Sequence, residues 1–210
     1  MISDKEKGKL IVRELIKRYG REIPLYLNYH KRKPYEFLFA VIMSAQCTDI
    51  RVNLVTKELY KKYDTLHKFA NANVKSLEYD IHPVGFYHNK AKNIKECAIK
   101  LITDFDGKVP NDFEKLLSLP GVGRKTASVV ISHLYGIPAM AVDTHVARIS
   151  KLIFKLNLKK VEEIEEFLKK TIDKKYWELW NTHIIALGRE ICIARKPKCT
   201  ICPIYKYCKK

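Results

Sequence analysis

No run of this 210-residue chain is apolar for long enough to cross a bilayer, and its first residues lack the pattern of a secretory signal. A membrane-embedded or exported protein is therefore not expected. Strand-like alternation is missing too, as are long repeats, low-complexity tracts and long linkers, which leaves an all-α fold. Negative charge is scarce: 23 Asp and Glu stand against 40 Lys and Arg, a formal net charge of +17. Such an excess favours a polyanionic partner, nucleic acid first, unless it only reflects a Lys-rich proteome. Gln46 is the one glutamine, a shortage found in thermophile proteins, although asparagine is plentiful here.

What is present centres on one stretch, Leu119–Pro120–Gly121–Val122–Gly123–Arg124–Lys125–Thr126–Ala127. Upstream, Asn111 can cap a short helix carrying Phe113, Leu116 and Leu117, with Glu114 three residues on. Pro120 and Gly121 stop it. After Gly123 a second helix starts, with Ala127, Val130, Ile131 and Leu134 as its inner face. A turn of this kind aims backbone N–H groups outward at the positive end of a helix dipole, so it can hold a phosphate without reading sequence. Lys125, in the first turn of that helix, leans back toward whatever the turn holds. The same residues read equally well as a hairpin turn that needs glycine and carries a surface lysine.

Helical patterns account for the rest. They run over Lys5–Tyr19, over the continuously apolar Tyr35–Met43, and through Val52, Leu54, Val55 and Leu59 behind a Thr48 or Asp49 cap. Residues 20–34 are an irregular, partly basic connector, and 64–80 hold one or two short helices. His82–Tyr87 is a turn, and Lys90–Phe105 is amphipathic through Ile94, Cys97, Ala98 and Leu101. Phe86 reads as a core aromatic nearly as well as an exposed one. Asp143 precedes a helix through Val146, Ile149 and Leu152 and can cap it. From Lys160 to Ile172 the pattern puts Val161, Ile164, Phe167 and Leu168 inward and Glu162, Glu163, Glu165 and Glu166 outward as a solvated face. A last long helix over Trp177–Cys192 packs Trp177, Trp180, Ile184 and Leu187.

Four of the six cysteines fall at Cys192–x6–Cys199–x2–Cys202–x5–Cys208. Four thiols so close, in a chain without a secretory signal, point to a metal or cluster site. The spacing is neither the paired knuckles of structural zinc nor the tandem run of bacterial ferredoxins. Cys47 and Cys97 lie in apolar surroundings and read as core thiols.

Four of these motifs, in order and spread from about residue 35 onward, resemble the endonuclease III family of DNA glycosylases. LPGVGRKTA resembles its helix–hairpin–helix, SAQCTD its SAQ-x-TD loop, VGFYHNKA its wedge segment, and the cysteine spacing its [4Fe–4S] site. The resemblance implies a two-lobed helix–hairpin–helix glycosylase fold with a C-terminal iron–sulfur cluster loop. One lobe would span 25–136, and the other would combine 1–24 with 137–210. It implies Lys125 as the nucleophile and Asp143 as the carboxylate that assists it. Cys192, Cys199, Cys202 and Cys208 would hold a [4Fe–4S] cluster. Gly121, Val122, Gly123 and Arg124 would grip phosphate, Gln46 and Phe86 would invade the duplex, and Arg195, Lys196 and Lys198 would form a basic finger. Phe86 stands where the family's best-known bacterial pattern has leucine.

The implied activity is that of a bifunctional glycosylase and AP lyase acting on oxidised pyrimidines in duplex DNA. The enzyme would be a cytoplasmic, nucleoid-associated monomer of a prokaryotic cell, with no membrane partner. Other readings are a G·T-mismatch thymine glycosylase of the same superfamily, and a non-catalytic iron–sulfur DNA-binding module. The basic charge and hairpin suit both, whereas Lys125 together with Asp143 favours the lyase.

Overall fold

The structure, a computed structural model, describes residues 2–22 and 27–208. Among them are eleven α-helices, some short 3-10 turns and no strand. In chain order the helices are α1 (Asp4–Tyr19), α2 (Pro34–Ser44), α3 (Asp49–Lys62), α4 (Leu66–Ala70), α5 (Val74–Ile81), α6 (Tyr87–Phe105), α7 (Phe113–Leu117), α8 (Arg124–Tyr135), α9 (Thr144–Phe154), α10 (Val161–Thr171) and α11 (Trp177–Glu190). The chain divides into two compact units, Pro24–Ile137 and Met1–Ile23 with Pro138–Lys210. The lobe boundary expected at residues 24 and 25, and part of the connector expected over 20–34, lie outside the described residues.

The mid-chain unit is built around α2, whose residues from Tyr35 to Met43 are all buried. A helix apolar on every side belongs in a core, and α3, α6 and α8 pack on it. Phe69 of α4 closes the core, its ring 4.9 Å from Phe39 and 5.1 Å from Tyr63. In the terminal unit, α1 packs on α10 and α11, and α9 packs on the same two helices. Trp180 is fully buried there, in one core with Ile11, Leu15, Ile149, Ile153, Leu168 and Ile184. Each such aliphatic side chain contributes roughly 1.5–3 kcal/mol by leaving water.

Some local expectations are corrected. Asp112, not Asn111, caps α7: its carboxylate accepts from the Lys115 N–H at 2.9 Å. That oxygen sits where a cap reaches the third helical N–H. On α10 the inner face is Ile164, Glu165, Leu168 and Thr171, while Val161, at the helix start, is 42% exposed. Glu165 can be buried because Lys169, one turn on, meets its carboxylate at 2.7 Å. Cys97 is a core thiol, its pKa pushed by burial up to about 12. Cys47 is not, being half-buried in the loop between α2 and α3.

Candidate active site

α7 and α8 pack against each other and are joined by the turn that the sequence singles out. Buried Leu119 and Val122 anchor it, and the Val122 N–H closes it onto the Leu119 carbonyl at 3.1 Å. Between these anchors Gly121 faces outward with φ +78°, a left-handed conformation that costs a side-chain-bearing residue about 1–2 kcal/mol. Asn93 of α6 lies against it, 2.8 Å from where a β-carbon would stand. Gly123 differs: its backbone is extended, with φ −91° and ψ 177°, and a β-carbon there would meet nothing within 4 Å.

Gly123 occupies the cap position of α8, and its carbonyl accepts the first helical bond, from the Ala127 N–H at 2.9 Å. The N–H groups of that first turn have no carbonyl partner within the helix. Beside them the Arg124 guanidinium lies over the Phe113 ring, 5.2 Å from its centroid. Lys125 is exposed and has no hydrogen-bond or ion-pair partner among the described residues. The result is an unengaged amine beside a turn whose free N–H groups could receive an anion, at the positive end of a twelve-residue helix.

Gln46 and Phe86 share a backbone feature that sequence reading did not detect. Both are left-handed without being glycine, with φ 54° and 48°. Gln46 is exposed between α2 and α3, and its amide bonds to nothing among the described residues. Phe86 follows left-handed Gly85, precedes α6, and is 67% exposed, so it is no core aromatic. The two sites are brought together at the start of α6, where Lys90 reaches carbonyls of both segments. Asn93, the residue against Gly121, lies one turn further along the same helix.

Asp143 stands on the other unit, the one containing 138–210. The chain approaching it is held by buried Met140, Ala141 and Val142, and by the Asn181 amide on the Ala139 carbonyl at 3.3 Å. Asp143 caps α9, one carboxylate oxygen accepting from the Val146 N–H at 2.8 Å. Its other oxygen has no partner among the described residues. Gly188 of α11 permits the close approach of His145, since a β-carbon there would collide with that ring.

Cys192, Cys199, Cys202 and Cys208 line one cavity of about 220 Å³, with Arg148 and apolar residues such as Leu152 and Ile191. Burial pushes the Cys202 thiol up, and the other three thiols add to that shift by their proximity. Among the described residues no three His, Cys, Asp or Glu side chains are gathered for a single metal ion. Arg148 steadies the first cysteine, one guanidinium nitrogen 3.5 Å from its sulfur and another donating to its carbonyl. The Lys198 N–H bonds to the Ile191 carbonyl at 2.9 Å, closing the loop on which Arg195, Lys196 and Lys198 are all exposed.

Lys90, Arg148 and Gly188 all went unread in the sequence. For Lys90 there was a signal: it lies in phase with Ile94, Cys97, Ala98 and Leu101, the buried stripe of α6. For the others no local pattern existed.

Comparison with known proteins converges on one family. Residues 39–174 match the HhH-GPD superfamily base excision DNA repair protein family, and residues 192–208 match the iron–sulfur binding domain of endonuclease III. The endonuclease III of Bacillus subtilis is 43% identical, over 84% of this chain and 81% of that protein. A solved structure of a trapped endonuclease III–DNA covalent intermediate superposes with TM-score 0.91 at 40% identity, covering 100% of this chain and 97% of that one. A thermostable thymine-DNA glycosylase structure is more distant, with TM-score 0.84 and 26% identity over 97% of this chain and 96% of the other.

Proposed function

The chain belongs to the endonuclease III family of helix–hairpin–helix DNA repair proteins, and from that membership we propose a base-excision-repair enzyme with two linked activities. It removes oxidised pyrimidines as a DNA glycosylase and nicks the resulting abasic site as a lyase. The substrate is double-stranded DNA with a damaged base or an abasic site, met by a monomer at the nucleoid of a prokaryotic cell. Lys125 is the observation that carries the proposal: an unengaged amine one helical turn from the hairpin glycines, inside the segment matched by the family.

Chemistry at a glycosidic carbon requires the nucleotide to leave the base stack. The backbone of the Gly121–Gly123 turn, shaped by the anchor at Val122 and flanked by Arg124, takes a phosphate, while Gln46 and Phe86 enter the duplex and fill the gap. A neutral Lys125 Nζ then attacks C1′. The C1′–N bond to the base breaks, its electron pair and one amine proton leaving with the base. The C1′–O4′ bond then opens as O4′ takes a proton, and the lysine nitrogen remains on C1′ as a protonated Schiff base. Asp143 offsets the positive charge that develops on the sugar and relays a proton. Its cap on α9 fixes one oxygen and leaves the other for that work. Loss of a C2′ proton expels the 3′ phosphate, and the strand is cut on that side.

The match to an iron–sulfur binding domain is supported by the donor set. Four thiols spread around one cavity suit a polynuclear group better than a single ion, and we assign them to a [4Fe–4S] cluster. When bound, it supplies four iron–thiolate links that tie the loop together and hold Arg195, Lys196 and Lys198 toward DNA phosphates. The likeness to a thymine-DNA glycosylase leaves a G·T-mismatch activity as a second specificity, which a G·T duplex assayed beside an oxidised-pyrimidine duplex separates.

Borohydride trapping on a duplex with one abasic site tests the central step. Wild type is expected to give a covalent protein–DNA band and Lys125→Ala none. A Lys125→Ala protein that still trapped would refute the assignment.

A further inference from the structure

α6 carries a lysine where its neighbours are apolar. Lys90 is 5% exposed, and its ammonium donates to three backbone carbonyls: Met43 at 2.9 Å, Ala45 at 2.7 Å and Val84 at 3.0 Å. An ammonium has three N–H groups, so its donors are fully used. Burial lowers its pKa from the ordinary lysine value. Carbonyl dipoles converging on the charge are what make such a site tolerable.

Each of the three carbonyls is placed for a purpose. Met43 belongs to the last turn of α2, which has no basic residue of its own to meet its negative end. Ala45 immediately precedes left-handed Gln46, and Val84 lies two residues before left-handed Phe86. The backbone N–H of Lys90 also bonds to the Phe86 carbonyl, at 3.2 Å. One residue therefore grips the Phe86 turn twice and the Gln46 segment once. Non-glycine left-handed residues persist only where their surroundings over-determine them, and here the two share a single restraint.

We propose that Lys90 is a positioning residue for nucleotide extrusion, its buried ammonium locking the Gln46 loop to the Phe86 turn so that both side chains enter the duplex as one rigid unit. This rests on the reading of Gln46 and Phe86 as the invading residues. Lys90 touches neither DNA nor the reacting carbon. Its role is to remove the independent motion of two loops that have to act on the same base step.

The test is Lys90→Met, which keeps the apolar stem and removes the donors. Two substrates are compared: a duplex with a paired oxidised pyrimidine, and a single strand with a preformed abasic site, which needs no invasion. A misplaced positioning group costs up to about 100-fold, and a loss approaching that is expected on the duplex alone. Equal loss on both substrates, or none on the duplex, overturns the proposal. Gln46→Ala/Phe86→Ala is measured alongside. If that double variant retains full duplex activity, the invasion reading is what fails; if it loses activity and Lys90→Met does not, the clamp fails alone. Adding Lys90→Met to the double variant is expected to cost nothing more, because the clamp then has nothing to position. Should Lys90→Met not fold, wild type labelled at lysine Nζ with nitrogen-15 decides by solvent exchange. One slowly exchanging ammonium is expected, and its absence refutes the clamp.

Discussion

At the scale of single residues, the two hairpin glycines are present for different reasons. Gly121 is required by its backbone and by Asn93 pressed against it. Gly123→Ser, by contrast, places a favoured capping residue on an extended backbone in open space. Gly121→Ala is expected to lower stability by at least about 1–2 kcal/mol, read as a fall in melting temperature. Gly123→Ser is expected to melt at or above the wild-type temperature yet bind abasic duplex more weakly, because its side chain stands where the phosphate approaches. Were Gly123→Ser to bind as wild type does, the turn would not be holding phosphate by its backbone.

At the scale of elements, the cysteine loop is short on its own means of support. It has two 3-10 turns, at Cys199–Ile201 and Tyr205–Tyr207, with buried Ile204 between them and the Arg148 brace at its start. Four iron–thiolate links would supply the missing rigidity. Cys202→Ser, purified without oxygen, is expected to lose the visible absorption of the cluster and to bind DNA with a shallower salt dependence. Replacing Arg195, Lys196 and Lys198 by Gln should reproduce that shallower slope, by about 3 in log–log terms if each meets one phosphate, while the cluster absorption survives. An unchanged slope in the triple variant would take the loop out of the DNA interface.

At the scale of the whole molecule, each unit holds a histidine that packing takes out of water, half-buried His133 and buried His183. His133 lies against Phe37, its ring centroid 4.4 Å away, and its Nε2 is 3.2 Å from the Tyr29 hydroxyl. His183 is 3% exposed in the terminal unit, and its Nε2 has no hydrogen-bond partner among the described residues. Burial lowers the pKa of both below the ordinary 6.5. The native state therefore binds fewer protons than the unfolded one once pH drops through that value. Stability is complete above it and falls as pH descends toward the native-state pKa values. Melting temperature is expected to decline below about pH 6.5, and His183→Phe, which also removes an unpaired buried nitrogen, to flatten the decline. An unchanged profile in that variant would mean that His183 takes up its proton equally in the native and unfolded states.

The sequence by itself determined what depends on near neighbours. The apolar run of α2 could only be a core segment, the hairpin turn needed glycine, and Asp143 could cap the helix that follows it. The cysteine spacing declared a site because thiols so close in the chain are also close in space. Tertiary structure decided what depends on elements far apart in sequence. Glu165 is buried because of how α10 is rotated against its neighbours, and Val161 is exposed for the same reason. Phe86 faces outward because two successive left-handed residues turn the chain there. Lys90 reaches Met43 and Ala45 from more than forty residues away, a contact that no local periodicity encodes. A buried charge is stable only where a folded backbone aims its carbonyls at it, and that convergence exists only once the helices have packed.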